Sequence, residues 1–158
     1  MIIAPSTDIA GAIHAVLAAY AQDSSADPLM TVAAATEDNV KVTGESIDRQ
    51  GYDSCAFVLT GSAVLTEAKT ASIAVEYQDS ADNSTWNTAV ALQASTVEAT
   101  GDTGGSTEDL LIELALSLRG LERYVRFNVT LDLSHTSTDT AEWTAACILG
   151  GKEATPVA

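Results

Sequence analysis

The sequence predicts an all-β protein, namely an antiparallel β-sandwich or jelly-roll-like barrel with an extended or short helical N-terminal arm. Three observations predict this class. Several stretches alternate apolar and polar residues at a period of two, the period of a strand with one buried face. Clusters of Asn, Asp, Ser and Gly separate roughly seven to nine such strands, a number typical of sandwiches and jelly rolls. The residues are 46% hydrophobic but only 5% aromatic, which suits sheets packed through small and branched side chains.

The N-terminal arm is the segment whose secondary structure the sequence leaves open. Residues 9–20 are rich in alanine, which favours a helix capped by Thr7 or Asp8. The same length fits an extended segment lying across a sheet, and periodicity does not separate the two. Short strands are predicted at residues 29–35 and 40–43, with an acidic turn between them.

Two regions predict the central strands. Residues 55–60 are continuously apolar, as in a strand covered on both faces, and the Gly-Ser pair at 61–62 is predicted to end that strand. Residues 70–78 and 86–92 predict a hairpin. Its tip is rich in Asp, Asn and Ser, which tolerate positive φ and bond to their own backbone.

The last three strands show the clearest alternation, with polar loops predicted at residues 101–107 and 134–139 and a turn at Arg119 and Gly120. The predicted inward-facing residues are Leu110, Ile112, Leu114, Leu116 and Leu118 in the first, Val125, Phe127, Val129, Leu131 and Leu133 in the second, and Trp143, Ala145, Cys147 and Leu149 in the third. Every second residue is apolar, so each strand is predicted to bury one face.

The length of 158 residues predicts one main domain. We divide the chain into an arm with short strands at residues 1–46, a β-sandwich core at 47–151 and a polar C-terminal tail at 152–158. The boundary at residue 47 is placed where the long strands begin.

The charge of the chain excludes two classes of partner. There are 22 acidic against 7 basic residues, for a net charge of −15. Such a surface repels phosphate groups, so we expect neither a nucleic-acid partner nor binding to an anionic membrane. A secretory signal requires a basic residue ahead of its apolar stretch, but no Lys or Arg precedes Lys41. Residues 9–21 are also too short to span a bilayer. We therefore expect synthesis in the cytoplasm.

The Cys, His, Asp and Ser residues lack the neighbouring residues that a metal site or a catalytic site requires. Cys55 and Cys147 lie in apolar runs without a C-x-x-C motif, which predicts two buried reduced thiols, although a disulfide between neighbouring strands stays open. His14 and His135 have no ligand or catalytic partner at the required spacing. The acidic hairpin tip lacks the EF-hand pattern, and no G-x-S-x-G occurs. We predict no enzyme activity, no metal site and no cofactor.

Four short motifs occur in a fixed order along the chain. They are D-R-Q-G-Y-D-S at residues 48–54, S-x-D-x-S-T-W at 80–86, G-L-x-R-Y-V-R at 120–126 and I-L-G-G at 148–151. In this order they resemble a family of small tailed-phage head proteins, the capsid decoration or cement proteins, across residues 47–151. The second and third motifs are also similar to those of discoidin-type carbohydrate-binding sandwiches.

The resemblance implies a non-enzymatic virion structural protein that decorates and stabilises a bacteriophage capsid by binding across its subunits. The implied partners are the major capsid protein and other copies of the chain, with a trimer favoured over a dimer. The implied location is the capsid surface, after synthesis in the host bacterium. The alternatives are a tail or connector component and a carbohydrate-binding, host-recognition module. The last is disfavoured because Trp86 and Trp143 both fall in predicted strands, where they would be core residues.

Two groups of residues are predicted to lie at protein interfaces. The first is apolar and belongs to the arm, and the second surrounds a cluster of arginines: they are Ile2, Ile3, Ile9 and Ile13, and Arg119, Tyr124 and Arg126. Guanidinium groups recognise carboxylates bidentately, and Arg and Tyr favour interface hot spots. The alternative is local ion pairing with Glu113, Glu122 or Asp132. Strict alternation puts Arg123 on the apolar face, so it must be paired, lie at a sheet edge or follow a bulge.

Overall fold

The computed structural model describes residues 14–19, 30–33, 38–135 and 138–152. These residues form ten strands, and none of them is helical. The strands are β1 His14–Ala19, β2 Met30–Ala33, β3 Lys41–Thr43, β4 Ile47–Asp48, β5 Tyr52–Leu65, β6 Thr70–Ser80, β7 Val90–Thr100, β8 Ser106–Ser117, β9 Tyr124–Leu133 and β10 Thr140–Lys152.

The strands form two antiparallel sheets. Sheet A has the order β1-β10-β5-β8, and β2 also pairs with β10; sheet B has the order β3-β9-β6-β7, and β4 also pairs with β9. β1 and β2 pair with successive parts of β10, so they occupy one position in the sheet, as β3 and β4 do beside β9. Counting eight positions along the chain gives the orders 1-8-3-6 and 2-7-4-5, the arrangement of a jelly roll.

This topology confirms the predicted all-β sandwich of jelly-roll type. It also settles part of the open question about the arm, because residues 14–19 are extended and pair with β10. The residues before them lie outside the described residues. β1 to β4 join the same sheets as the later strands, and the domain division at residue 47 stays a prediction.

The core lies between the two sheets and is built by the alternation that the sequence shows. Trp143 of sheet A is 1% exposed, and Phe57 packs on Phe127 across the interior with ring centroids 4.9 Å apart. The inward faces predicted for the strands now assigned as β8, β9 and β10 are confirmed, with Leu114 partly exposed and the other residues buried. Aromatic pairs at this separation add to the free energy gained by burial.

The prediction that residues 61–62 end the central strand is wrong. β5 continues to Leu65, and its residues alternate between core and outward positions instead of being covered on both faces. Gly61 lies opposite Trp143 in β10, where an added Cβ would overlap the Glu142 carbonyl oxygen and lie 2.9 Å from Trp143 Cα. The glycine is therefore needed for the close approach of two strands, and it does not mark a turn.

The hairpin is confirmed, but its second strand is not where the sequence placed it. Residues 81–89 form the connection, and β7 begins only at Val90. Asp82 Oδ1 accepts hydrogen bonds from the backbone N–H groups of Ser84 and Thr85, and Asn87 N–H donates to the Asp79 carbonyl. These contacts use the residues around Trp86 for the turn and keep them out of the strand.

Two of the edge strands, β7 of sheet B and β8 of sheet A, differ in regularity. β7 shows three register shifts against β6, and such bulges protect an edge strand from further pairing. β8 pairs with β5 without a shift over the whole stretch from Ser106 to Ser117. β8 is therefore the more regular edge.

Candidate interaction surfaces

The outward face of sheet B carries a polar network centred on Gln78. Its side-chain oxygen accepts hydrogen bonds from Arg126 Nε and Nη2 at 3.1 and 2.9 Å and from Asn128 Nδ2 at 3.1 Å. Its amide nitrogen donates to the Asn87 carbonyl at 2.8 Å. Strand pairing places Gln78 directly opposite Arg126. The network therefore fixes the connection at residues 81–89 to the surface of the sheet.

Trp86 lies on this face and outside the core. Its ring is half-buried and sits 4.1 Å from Arg126 Cζ, a cation–π arrangement. Partial burial lowers the pKa of the Arg126 guanidinium. The prediction that Trp86 is a core strand residue is wrong, whereas that for Trp143 is confirmed. Only Trp143 is therefore removed from a role in carbohydrate binding by its place in the core.

Arg119 and Arg123 each pair with a carboxylate that the sequence did not indicate. Arg119 Nη2 lies 3.0 Å from Asp53 Oδ2, and Arg123 Nη2 lies 2.7 Å from Asp48 Oδ2. The hydrogen bonds from Arg123 hold the pKa of Asp48 below its ordinary value of 3.8. Arg123 precedes the first residue of β9, so strict alternation does not apply to it. Both arginines are exposed, and the docking role predicted for Arg119, Tyr124 and Arg126 stays a prediction.

Arg49 holds the turn between β8 and β9 in place. Its guanidinium donates to the carbonyls of Glu122, at 3.0 Å, and of Leu121. This role of Arg49 leaves no signal in the sequence, because every residue type supplies a backbone carbonyl acceptor. Tyr124 is half-buried, and its ring lies 5.1 Å from Arg123 Cζ. The apolar arm residues predicted at an interface, Ile2, Ile3, Ile9 and Ile13, lie outside the described residues.

The outward face of sheet A is apolar at its centre. We call Ala56, Val58, Ala115, Ala146 and Ile148 the apolar face. Ala56 lies between Ala115 and Ile148 in register, and Val58 lies opposite Ala146. Alternation directs all five away from the core, and Ala115 is exposed while the other four are partly exposed.

A shallow depression of about 480 Å³ lies at one end of the apolar face. Ala56, Ala115, Ile148 and Gly150 are among its lining residues. On this side of sheet A, the charged residues whose side chains the structure describes are all acidic: Asp109, Glu113 and Glu142. The result is a small-residue apolar centre with an acidic border, which is the form of a surface that another chain covers.

Cys55 and Cys147 face the core from neighbouring strands, and both are buried as free thiols. The hydrogen bond to the Cys55 thiol, together with burial, raises the pKa of Cys147. A neutral buried thiol behaves as a small apolar side chain. The pair therefore belongs to the packing of β5 against β10.

Within the described part of the chain, no group of three or more His, Cys, Asp or Glu side chains is placed to hold a metal ion. The hydrogen bonds from Thr85 and Ser84 lower the pKa of Asp82, which serves its own turn. Asp79 Oδ1 accepts from Asn87, and His135 Nδ1 lies 3.2 Å from the Thr138 hydroxyl. No helix among these residues is long and apolar enough to cross a membrane.

Comparison with known proteins identifies relatives of the fold alone. No protein-family model and no curated protein sequence matches the chain. Among solved structures, it is similar to the infectious bursal disease virus Gx strain (TM-score 0.52, 9% identity, 90% of this chain and 33% of that one). It is also similar to a VP2 subviral particle of that virus (0.51, 10%, 89% and 33%) and to a mutant VP2 in T=1 particles (0.51, 10%, 89% and 31%). The chain spans about a third of the length of these proteins.

Proposed function

We propose that the chain is a virion structural protein that decorates a bacteriophage capsid and stabilises it by binding across capsid subunits. The observation that carries the proposal is the jelly-roll strand order, which matches chains from viral particles over 89% of this chain. The four sequence motifs that resemble phage decoration proteins support the choice of virus and of role. A protein that binds only the assembled lattice stabilises that lattice by mass action.

The surfaces of the molecule fit this role better than they fit catalysis. Its net charge of −15 favours solubility at high copy number and disfavours contact with packaged DNA. The apolar face offers an area that a neighbouring subunit or copy can cover. The major capsid protein and other copies of the chain are the proposed partners, with a trimer favoured over a dimer.

A direct test uses the full chain and capsids of the encoding phage that lack it. We expect the chain to co-sediment with empty heads, and immunogold labelling of complete virions to mark the head surface. Labelling of the tail or neck would replace decoration with the tail or connector alternative. No labelling together with no co-sedimentation would overturn the virion assignment. Light scattering on the purified chain measures the oligomer independently.

A host-recognition module is the second candidate, and the surface position of Trp86 favours it. One face of its ring carries Arg126, and Gln78 and Asn87 lie in the same network. Aromatic rings beside polar side chains are typical of sugar-binding sites. A glycan array with the full chain tests this candidate. Binding that Trp86→Ala abolishes would support it, and an array without binding would exclude it for the sugars present.

A further inference from the structure

The apolar face has the shape and composition of a surface that another polypeptide segment contacts. Ala56, Ala115 and Ala146 have short side chains, so the middle of the sheet is flat and lies open at the depression. Leu111 and Val64, which face the same way, are 63% and 50% exposed. The five adjacent residues of the apolar face mark a contact surface more clearly than single exposed residues such as Val64 do.

The acidic border of this surface argues against a second apolar face as its cover. Asp109 and Glu113 are exposed on β8 beside the apolar face. Two copies packed with these faces together would bring the same carboxylates near each other, at a cost in free energy. The cover should therefore be apolar and carry few acidic groups.

Residues 1–13 have this composition. They include Ile2, Ile3, Ile9 and Ile13, with Asp8 as their single charged side chain. They immediately precede β1, whose first residue pairs with Leu149 of the depression. Thirteen extended residues reach about 43 Å, whereas the width of sheet A from β1 to β8 is about 15 Å.

The direction of β1 favours the surface of another copy. β1 is antiparallel to β10, and the chain enters sheet A where β10 is about to end. To cover the apolar face of its own copy, residues 1–13 would have to turn out of the line of β1 and cross β10. A continuation along the direction of β1 leads away from the domain and towards a copy placed beside it.

We propose that residues 1–13 of one copy bind the apolar face of a neighbouring copy. This exchange links adjacent copies through an apolar segment and hides a surface that would otherwise face water. It deepens the proposed function, since it requires copies to lie side by side. It does not require a capsid, so the two proposals can fail separately.

A spin-label experiment on the full chain tests the exchange. A nitroxide reagent is attached at Ser6→Cys, and it reacts selectively there because Cys55 and Cys147 are only 4% and 1% exposed. The spin-labelled protein, at natural isotope abundance, is mixed with ¹⁵N-labelled protein that carries no nitroxide. We expect loss of amide signal at Ala56, Ala146 and their neighbours in the ¹⁵N-labelled copy. The outward face of sheet B should keep its signal.

Two matched variants serve as controls. Ala146→Arg introduces a large cation at the centre of the apolar face, and Ala74→Arg does the same at a half-buried, outward-facing alanine of sheet B. The first variant in the ¹⁵N-labelled copy should restore the lost signals, and the second should leave the loss unchanged. Thr144→Arg replaces the first variant if near-ultraviolet circular dichroism shows that Ala146→Arg disturbs the core.

The outcomes separate the alternatives. Signal loss only when nitroxide and isotope are on the same chain would overturn exchange and place residues 1–13 on their own copy. Signal loss on sheet B alone, or no loss on either sheet, would overturn the apolar face as the binding surface. Capsid attachment with no signal loss would leave the proposed function standing without the exchange.

Discussion

The outward faces of the two sheets are built on similar strands but present different chemistry. On sheet B, Lys41 pairs with Glu76, and Gln78 joins Arg126 to Asn128, so polar groups contact one another across the strands. The connection at residues 81–89 lies over part of that face. On sheet A, the corresponding positions hold small apolar residues with an acidic border.

The difference shows which face makes more of its contacts within one copy. Sheet B pairs Lys41, Gln78 and Arg126 internally and places Trp86 on its own surface, while Asn128 Oδ1 is buried without a hydrogen-bond partner. The centre of sheet A offers apolar area and few hydrogen-bonding side chains, so covering it with another segment or chain would gain free energy from the burial of apolar surface. We therefore expect contacts between copies to use sheet A, and the following changes test this comparison.

The largest expected effect separates the two tryptophans. Trp143→Ala should lower the free energy of unfolding by about 3 kcal/mol or more, because it leaves a cavity in the core beneath sheet A. Trp86→Ala should cost about 1 kcal/mol or less, since it removes a surface cation–π contact. Denaturant unfolding measures both.

Trp143→Phe is the matched control for the core. It keeps an aromatic ring and removes an indole N–H that is buried without an acceptor, so it should cost less than the alanine variant. Equal losses for Trp86→Ala and Trp143→Ala would show that the connection over sheet B is part of the core, and the comparison would break.

The next effect concerns the close approach of β5 and β10 at Gly61. Gly61→Ala should cost roughly 2 kcal/mol, because the new methyl group overlaps backbone atoms of β10. Gly150→Ala is the control, since its methyl group would meet only Ser54 Oγ at an ordinary 3.6 Å. It should change stability by about 0.5 kcal/mol or less. Thermal unfolding measures the pair, and a tolerated Gly61→Ala would mean that β5 and β10 separate more easily than their contact suggests.

Alternation carried most of what the sequence could predict about the fold. From Leu110 in β8 to Leu118 just after it, every second residue is buried or partly buried, because one face of the strand meets the core. That rule needs no knowledge of the partner strand. Gly61 misled the prediction because its role depends on Trp143, far away in sequence, and a close approach leaves no local signal.

The candidate surfaces were harder to predict for a related reason. The sequence indicates an arginine cluster, but the partners of Arg119 and Arg123, Asp53 and Asp48, come from strands that only the fold brings near. Trp86 was assigned to a strand because apolar residues follow it. The side chains of Asp82 and Asn87 instead hold that segment in a turn.

A smaller effect is expected at the arginine cluster. Because Arg119 and Arg126 both have partners within the chain, replacing each with Ala should cost less than about 1 kcal/mol of stability. We expect co-sedimentation of the double variant with capsids to be unchanged. Attachment weakened by roughly 2 kcal/mol per arginine would instead support docking through the cluster, and would place an interface away from sheet A.

The smallest expected effect is a difference between the two sheets in their stability at low pH. Asp48 in β4 and Asp82 beside β6 have lowered pKa values and both belong to the sheet B side. A carboxylate whose pKa is lowered by folding stabilises the protein above its ordinary value of 3.8, and this contribution is lost as the pH falls through the lower folded value. As the pH falls from about 4 to 2, protection against hydrogen exchange, relative to the intrinsic rate at each pH, should therefore fall at β4 and at residues 81–89 before it falls at β5 and β10.

Asp48→Asn should flatten part of the pH dependence, and Arg123→Gln should do the same because it removes the partner of that carboxylate. An unchanged acid profile in both variants, or earlier exchange in sheet A, would show that these carboxylates do not set the acid stability of sheet B.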